Sequence, residues 1–548
     1  MAIASMAAAT AAAAAIVGAV REHVRASDLA VAGAVLFAFS AAVSAVRARR
    51  RGAPVLWPLV GIVPTLFVHR DDIYEWGSAA LLRAGGVFPY RGTWGGGSSG
   101  VITSAPANVE HVLRANFGNY PKGPYYRERF VELLGGGIFN ADGEAWRAQR
   151  RAATAEMHSS RFVEFSVRSI EQLVYGRLVP LAERLSGGGA AVDLQEVLLR
   201  FTFDNICAVA FGVDAGCLAD GLPDVPFARA FELATELSLL RFVTPPFIWK
   251  AKRLLRAGSE RRLVEATRAV REFAERAVAD RRNEMRKVGS LRGRCDLLSR
   301  LMSSAPGADY SNEFLRDFCV SFILAGRDTS SVGLAWFFWL LAGHPDVESR
   351  VVGDVLAAGG DIKRMDYLHA ALTEAMRLYP PVPVDFKEAL ADDVLPDGTP
   401  VRARQRVIYY TYAIGRDPAS WGDDAAAFRP ERWMRGGAFA GGESPFKYAV
   451  FNAGPRLCIG KRFAYTQMKT AAAAVLSRFA VEVVPGQEVK PKLTTTLYMK
   501  NGLMVRFRRR SPPPPSPPPR HVVADDDDDD DVAAGRHVAV GSCNSNHL

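Results

Sequence analysis

Phe451-Asn452-Ala453-Gly454-Pro455-Arg456-Leu457-Cys458-Ile459-Gly460 is the stretch from which the rest of this 548-residue chain is read. A single cysteine between glycines is, in isolation, most often a small apolar core residue. Here it stands in the fuller pattern Phe-x-x-Gly-x-Arg-x-Cys-x-Gly, and five residue types at fixed spacing rarely coincide by chance. Such a loop suits a shielded thiolate. A reactive thiolate must be kept deprotonated and protected from oxidation, which a tight loop beneath a bound group achieves and an open surface does not. Gly454 and Gly460 are expected to turn the backbone so that amide groups approach the sulfur without a side chain in the way. Arg456, two residues before the sulfur, is expected to reach a carboxylate of the bound group, and Phe451 to pack over the thiolate side.

Three upstream segments carry chemistry of their own. Ala325-Gly326-Arg327-Asp328-Thr329-Ser330 lies in an apolar run, Leu315–Leu341, that reads as a long buried helix. In a helix the Thr329 hydroxyl can turn back to the carbonyl of Ala325, loosening that turn and leaving a groove beside Gly326. Asp328 and Thr329 together form an acid–alcohol pair of the kind that relays protons. Glu374-Ala375-Met376-Arg377 puts opposite charges three apart on one helix face, ahead of the Pro380-Pro381 break, and Phe428-Arg429-Pro430-Glu431-Arg432-Trp433 follows downstream. Trp146-Arg147-Ala148-Gln149-Arg150 offers an indole and a guanidinium on one helical stripe. Each segment alone is equally a solvated or salt-bridged helix.

Together, in this order, they resemble the motifs of the haem-thiolate monooxygenases, the cytochromes P-450, over roughly residues 52–508. The resemblance implies a mainly α-helical domain with small β-sheets, holding haem b between the Leu315–Leu341 helix and the cysteine loop. It makes Cys458 the axial ligand to iron, with Phe451 beside it. It assigns Arg456, Trp146 and Arg150 to the haem propionates, with Arg151 as an accessory. Thr329 and Asp328 become the catalytic pair, and Glu374, Arg377 and Arg432 a buried structural ion network. Electrons are then expected from NADPH through NADPH–cytochrome P-450 reductase. Lys447, Arg456, Lys461, Arg462 and Lys469 are candidates for its basic docking face.

The ends of the chain read differently from its body. Leu29–Val46 carries no charge and is followed by Arg47, Arg49, Arg50 and Arg51. Eighteen helical residues span roughly 27 Å, enough for a bilayer core, and the basic cluster keeps the downstream chain on the cytoplasmic side. Four regions are expected: an Ala-rich leader at 1–27, an anchor with its basic stop at 28–51, the catalytic domain at 52–510, and a disordered tail at 511–548. Gly52-Ala53-Pro54 and Trp57-Pro58 read as a stiff connector pointing the domain away from the membrane. The tail joins Pro512–Pro519 to seven aspartates and carries −5 of a net charge of +10, so the remainder carries +15. No basic run interleaved with aromatics points to nucleic acid, which leaves an anionic membrane or an acidic partner. Cys207, Cys217, Cys295, Cys319, Cys458 and Cys543 form no CxxC pair, consistent with a reducing compartment. The endoplasmic reticulum membrane, crossed once, is the expected location.

Further strings resemble the plant fatty-acid omega-hydroxylases among these enzymes: Thr202-Phe203-Asp204-Asn205-Ile206-Cys207, Arg241–Lys250, Pro381–Glu388 with Asp392-Asp393 and Pro396-Asp397-Gly398, and Ala464–Lys469. Omega-hydroxylation of a fatty acid is the activity this implies. Ala325 stands where animal fatty-acid omega-hydroxylases carry a glutamate esterified to haem, so no such link is expected. Two rival activities remain: hydroperoxide isomerases or dehydratases of the same fold, whose members typically lack the acid–alcohol pair, and a non-catalytic haem sensor. Hydroxylation of another small lipophilic substrate is a third alternative. The apolar, aromatic Thr244–Trp249, beside Lys250, Lys252 and Arg253, is either a membrane-dipping segment or a buried loop.

Overall fold

The computed structural model describes residues 25–93, 98–303 and 310–510. Almost all of the leader, the whole tail and Cys543 lie outside the described residues. The first element is the helix Ala26–Arg51. Asp28 accepts a hydrogen bond from the Arg25 N–H at its start, and Arg49, Arg50 and Arg51 close its last turn, both in the sense the helix dipole favours. Leu29, Val31, Val35, Leu36 and Phe39 on this helix are all more than 60 % exposed. An 18-residue window of Ser27–Arg51 has a mean hydropathy of 2.3 and none of its residues is buried, a composition and length suited to a membrane anchor; near its C-terminal end Ala48 is buried. The connector does not stand off as a spacer. Gly52 ends the helix at φ 63°, where a Cβ would lie 2.3 Å from the Arg83 carbonyl oxygen. Ser44 donates to the Leu56 carbonyl (2.7 Å), and Trp57 bridges to Gly61. The prolines turn the chain back onto the body instead of extending it.

The body is built around the helix Asn312–Ala342, hereafter the distal helix, whose N-terminus is capped by Ser311 (Phe314 N–H to Oγ, 3.1 Å). It can be apolar on every side because helices Leu194–Phe211, Gly258–Val288, Asp366–Leu378 and Lys461–Leu476 surround it. Its few charges are satisfied: Asp317, for example, accepts from the Gly136 N–H (2.8 Å) and pairs with Arg316. Two separate cores form along its length. Leu315–Ile323 packs with Phe203–Phe211 and Leu263–Val278, whereas Val332–Leu341 packs with Leu368–Leu378 and Met468–Leu476. The turn Ala325–Thr329 falls at the seam between them. There the burial of the helix relaxes at Leu324, Ala325, Gly326 and Thr329.

The β-structure is small and peripheral. A four-stranded sheet runs in the order Val87–Arg91, Ser99–Thr103, Arg406–Tyr409, Asp385–Glu388, with the middle pair parallel. Phe479–Val483, Met504–Arg509 and Val192–Asp193 form a second sheet, and two hairpins complete the set. The segment Val401–Tyr412 is divided between two short strands and a helical turn. Arg404 at φ 66° turns the chain between Pro400–Val401 and Arg406–Tyr409, and Thr411–Ile414 winds into a helical turn. The last strand is Met504–Arg509.

Candidate active site

The cysteine loop is closed by its own backbone. Cys458 N–H donates to the Phe451 carbonyl (2.8 Å) and Leu457 N–H to the Gly454 carbonyl (2.9 Å). Gly454 is required twice over: its φ is +61°, and a Cβ would meet the Leu113 carbonyl oxygen at 2.0 Å. Gly460 is not in that class. Its φ is −85°, and a Cβ there would make an ordinary 3.9 Å contact with the Cys458 sulfur, so its contribution is the N–H directed at the sulfur. The thiol is open on one face and enclosed by protein on the others. Burial pushes it up, against the Gly460 N–H and the charges of Arg150 and Lys461. Phe451 packs on Tyr465 with ring centroids 5.3 Å apart.

Helix Gly143–Met157 carries Trp146 and Arg150 to this loop. Arg150 Nη1 donates to the Leu457 carbonyl, one residue before the cysteine (2.5 Å). Arg456 lies over the Trp146 ring, 4.5 Å from its centroid, and its Nη2 bonds Asp142 (2.8 Å) and the Ala141 carbonyl (3.0 Å). Its Nε is buried with no protein partner. Arg151 is absent from this group; it pairs with Glu144 on the solvent side of the same helix.

On the distal helix, Thr329 Oγ1 donates to the Ala325 carbonyl at 2.7 Å, the back-bond expected from the sequence. Asp328 is buried and bonded by Arg327 Nη1 (2.9 Å), whose other terminal nitrogen faces Glu232 (3.5 Å). Burial raises the Asp328 carboxyl and Arg327 opposes that rise. The reason for Gly326 differs from the expected groove: a Cβ would lie 2.6 Å from Ile206 Cδ1, so this glycine lets the helix Leu194–Phe211 approach. Beneath the loop, Glu374 accepts from Arg377 Nη2 (2.7 Å) and Nε (2.7 Å), Trp433 Nε1 (2.9 Å), the Arg429 N–H (3.1 Å) and Arg432 Nε (3.3 Å). Arg377 also serves the carbonyls of Gly415, Ala425 and Ala427.

A family model described as "Cytochrome P450" matches residues 55–507. The chain belongs to the cytochrome P-450 family. Among curated relatives, cytochrome P-450 86B1 of Arabidopsis thaliana is 47% identical over 488 residues, 85% of this chain and 87% of the relative. Cytochrome P-450 94A2 of Vicia sativa is 42% identical over 75% of this chain and 83% of its own length. For cytochrome P-450 94B1 of Arabidopsis thaliana the figures are 38%, 83% and 91%.

Membership implies monooxygenase chemistry on haem iron, and the residues of this P-450 fit that group. A thiol open on one side, two guanidiniums and an indole gathered within reach of its loop, and an orphaned Arg456 Nε together suit a macrocycle bearing carboxylates.

The structure adds a cluster that sequence reading missed. Asp385 bonds Lys122 Nζ (2.7 Å), Lys387 Nζ (2.9 Å) and the Tyr409 hydroxyl (2.5 Å), and Tyr409 reaches Asn452 of the cysteine loop (3.4 Å). Burial pulls Lys387 down to about 7, against the attraction of Asp385. Its only sequence signal was a charge alternation in the short strand Asp385–Glu388. The expected docking face is corrected as well. Arg456 and Lys469 are buried and Lys447 is paired with Glu443, leaving Lys461 and Arg462 of the five exposed.

Proposed function

We propose that this P-450 holds haem b through Cys458 and hydroxylates a fatty acyl chain at its terminal methyl, with electrons from NADPH through NADPH–cytochrome P-450 reductase. What supports the substrate class is that the string Thr202–Cys207, one of those resembling plant fatty-acid omega-hydroxylases, lies against the distal turn. Thr202 bonds the Arg327 carbonyl and Ile206 fills the slot at Gly326. Pro381, from a second such string, accepts from the Leu497 N–H (3.0 Å). Thiolate-ligated haem supplies the binding and cleavage of dioxygen. Arg456, Trp146 and Arg150 hold its propionates. Thr329 Oγ1 and the Asp328 carboxyl hold and pass the protons that cleavage consumes.

A terminal C–H bond is stronger than its internal neighbours, so selectivity for the chain end demands a passage narrow enough to admit only that end. We assign Pro383, Val384 and Thr495–Leu497 to this throat from their position in the family; in support, the Leu497 N–H bonds the Pro381 carbonyl (3.0 Å) and ties the two segments together. Graded fatty acids, reductase and NADPH, with the hydroxylated carbon identified, test the proposal. Mainly terminal product is expected. Val384→Ala widens the throat and is expected to raise in-chain product by on the order of tenfold. Mainly in-chain product from the wild type would end the omega reading and leave the monooxygenase intact. Thr329→Ala is expected to keep haem and substrate binding while releasing peroxide in place of product; full coupling there would remove Thr329 from proton delivery.

The same reading places the protein in the endoplasmic reticulum membrane, its body on the cytoplasmic side behind Arg47–Arg51. Phe247 and Ile248 are exposed beside Leu254, Leu255, Lys252 and Arg253, a composition suited to a bilayer surface. Trp249 is no part of that surface: it is buried beneath Arg241, 4.6 Å from its ring centroid.

A further inference from the structure

The segment Thr202–Cys207 lies on helix Leu194–Phe211. Thr202, Phe203 and Ile206 meet the distal helix at Gly326 and Arg327, while Asp204 and Asn205 bond other parts of the fold. Thr202 is fully buried. Its hydroxyl lies 2.8 Å from the Arg327 carbonyl, 3.0 Å from that of Leu198 and 3.1 Å from that of Leu199. All three neighbours are acceptors, so the hydroxyl must donate, and it has one proton to give. The shortest contact is the one that crosses between helices.

The Arg327 carbonyl is the crowded partner. Ser331 Oγ lies 2.9 Å from it, and in a regular helix the Ser331 N–H points at it too. A carbonyl oxygen has two lone pairs, so a third donor competes with the helical bond. Two residues earlier the Ala325 carbonyl accepts the Thr329 hydroxyl. The turn is thus loosened by two hydroxyls of its own and held by one from outside. Phe203 lies against the Arg327 guanidinium, 5.7 Å to its centroid, and Ile206 occupies the space a Cβ on Gly326 would need. The Arg327 carbonyl belongs to the same rigid peptide plane as the Asp328 N–H. Holding that plane restrains the backbone from which the Asp328 side chain leaves the helix, and Arg327 Nη1 holds its carboxylate (2.9 Å).

We infer that Thr202 is a positioning residue for proton delivery: by donating to the Arg327 carbonyl it pins the loosened distal turn and aims Asp328 beside Thr329. The inference rests on the roles proposed above for Thr329 and Asp328. Thr202 touches no reacting atom and acts through the peptide it holds. No atom of it enters the proton path, so its loss affects how often the acid is aligned and leaves the chemistry of the acid as it was.

Thr202→Val keeps the shape and deletes the donor, and Thr202→Ser restores the donor without the methyl. Both are made in the full-length, haem-loaded enzyme, with Thr202→Ala as a second deletion of the hydroxyl should the valine variant fail to load. Hydrogen exchange of the amides of residues 325–331 is expected to quicken on the order of tenfold in Thr202→Val, the scale set by one lost buried hydrogen bond. The fraction of NADPH recovered as hydroxylated product is expected to fall several-fold and the solvent isotope effect to rise, with KM for the fatty acid unchanged. Thr202→Ser is expected to return all three. Unchanged exchange and coupling in both hydroxyl deletions would overturn the inference. So would coupling that fails equally in Thr202→Ser, since that would mark a packing role. Thr329→Ala runs alongside: if it uncouples while the Thr202 deletions do not, this inference falls and the proton-delivery reading stands. If Thr329→Ala stays coupled, that reading itself is wrong.

Discussion

Cys458→Ala is expected to abolish both turnover and the red-shifted band of the reduced carbon-monoxide complex, because that band reports a thiolate on iron. The loop itself is expected to survive. Its closing bonds run through the backbone, from Cys458 N–H to the Phe451 carbonyl and from Leu457 N–H to the Gly454 carbonyl, and alanine keeps both. Three of the four other described cysteines are poorly placed to substitute. Cys207, Cys217 and Cys319 are packed inside the protein, and burial pushes each thiol up, Cys217 to about 12. The measurement is the difference spectrum of purified protein, with circular dichroism to establish that the fold is intact. A variant that keeps the band would place the ligand elsewhere.

Glu374→Ala is expected to prevent accumulation of haem-loaded protein. The carboxylate is fully buried and receives five donors from Arg377, Arg429, Arg432 and Trp433. Deleting it strands Arg377, whose side chain is 0 % exposed, without a countercharge, and leaves Arg432, 8 % exposed, paired with Asp424 alone. Breaking a buried pair from one side costs about 3–5 kcal/mol, a large part of the roughly 5–15 kcal/mol that stabilises a typical domain. Arg377→Lys is expected to fail in a milder way. Lysine offers a point charge where the guanidinium fork serves Glu374 and three carbonyls at once. Holoenzyme yield and thermal midpoint read both. Wild-type yield and midpoint in Glu374→Ala would show that the network carries little of the fold.

These two sites were legible in the sequence for a physical reason. The cysteine loop and the Glu374/Arg377 pair are defined within ten and four residues, so their pattern survives without the tertiary structure. The Thr329 back-bond is equally local. What sequence could not supply was partners from far along the chain. Asp142 for Arg456, Asp385 for Lys122 and Ile206 for Gly326 are joined only by folding. The misplaced docking charges have the same origin. Lys469 advertises its sign but not its depth. It lies on the face of helix Lys461–Leu476 that also buries Tyr465, Met468, Ala472 and Ala473, and the positive charge was mistaken for surface. Gly326 was matched to a groove because its neighbour across the helix interface was invisible.

The four-stranded sheet bears on how the chain is made. Ser99–Thr103 pairs in parallel with Arg406–Tyr409, about 300 residues later. At synthesis rates of about 5–20 residues per second, the early strands wait roughly 15–60 s for their partner to leave the ribosome. Throughout that interval Ser99–Thr103 is paired on one side only, to Val87–Arg91, and its other edge is open to any passing strand. On the reading of helix Ala26–Arg51 as a membrane anchor, this unfinished edge is held at a membrane surface. On that reading nascent chains are tethered close to one another at the time when strand exchange between them is easiest, before Cys458 has been made.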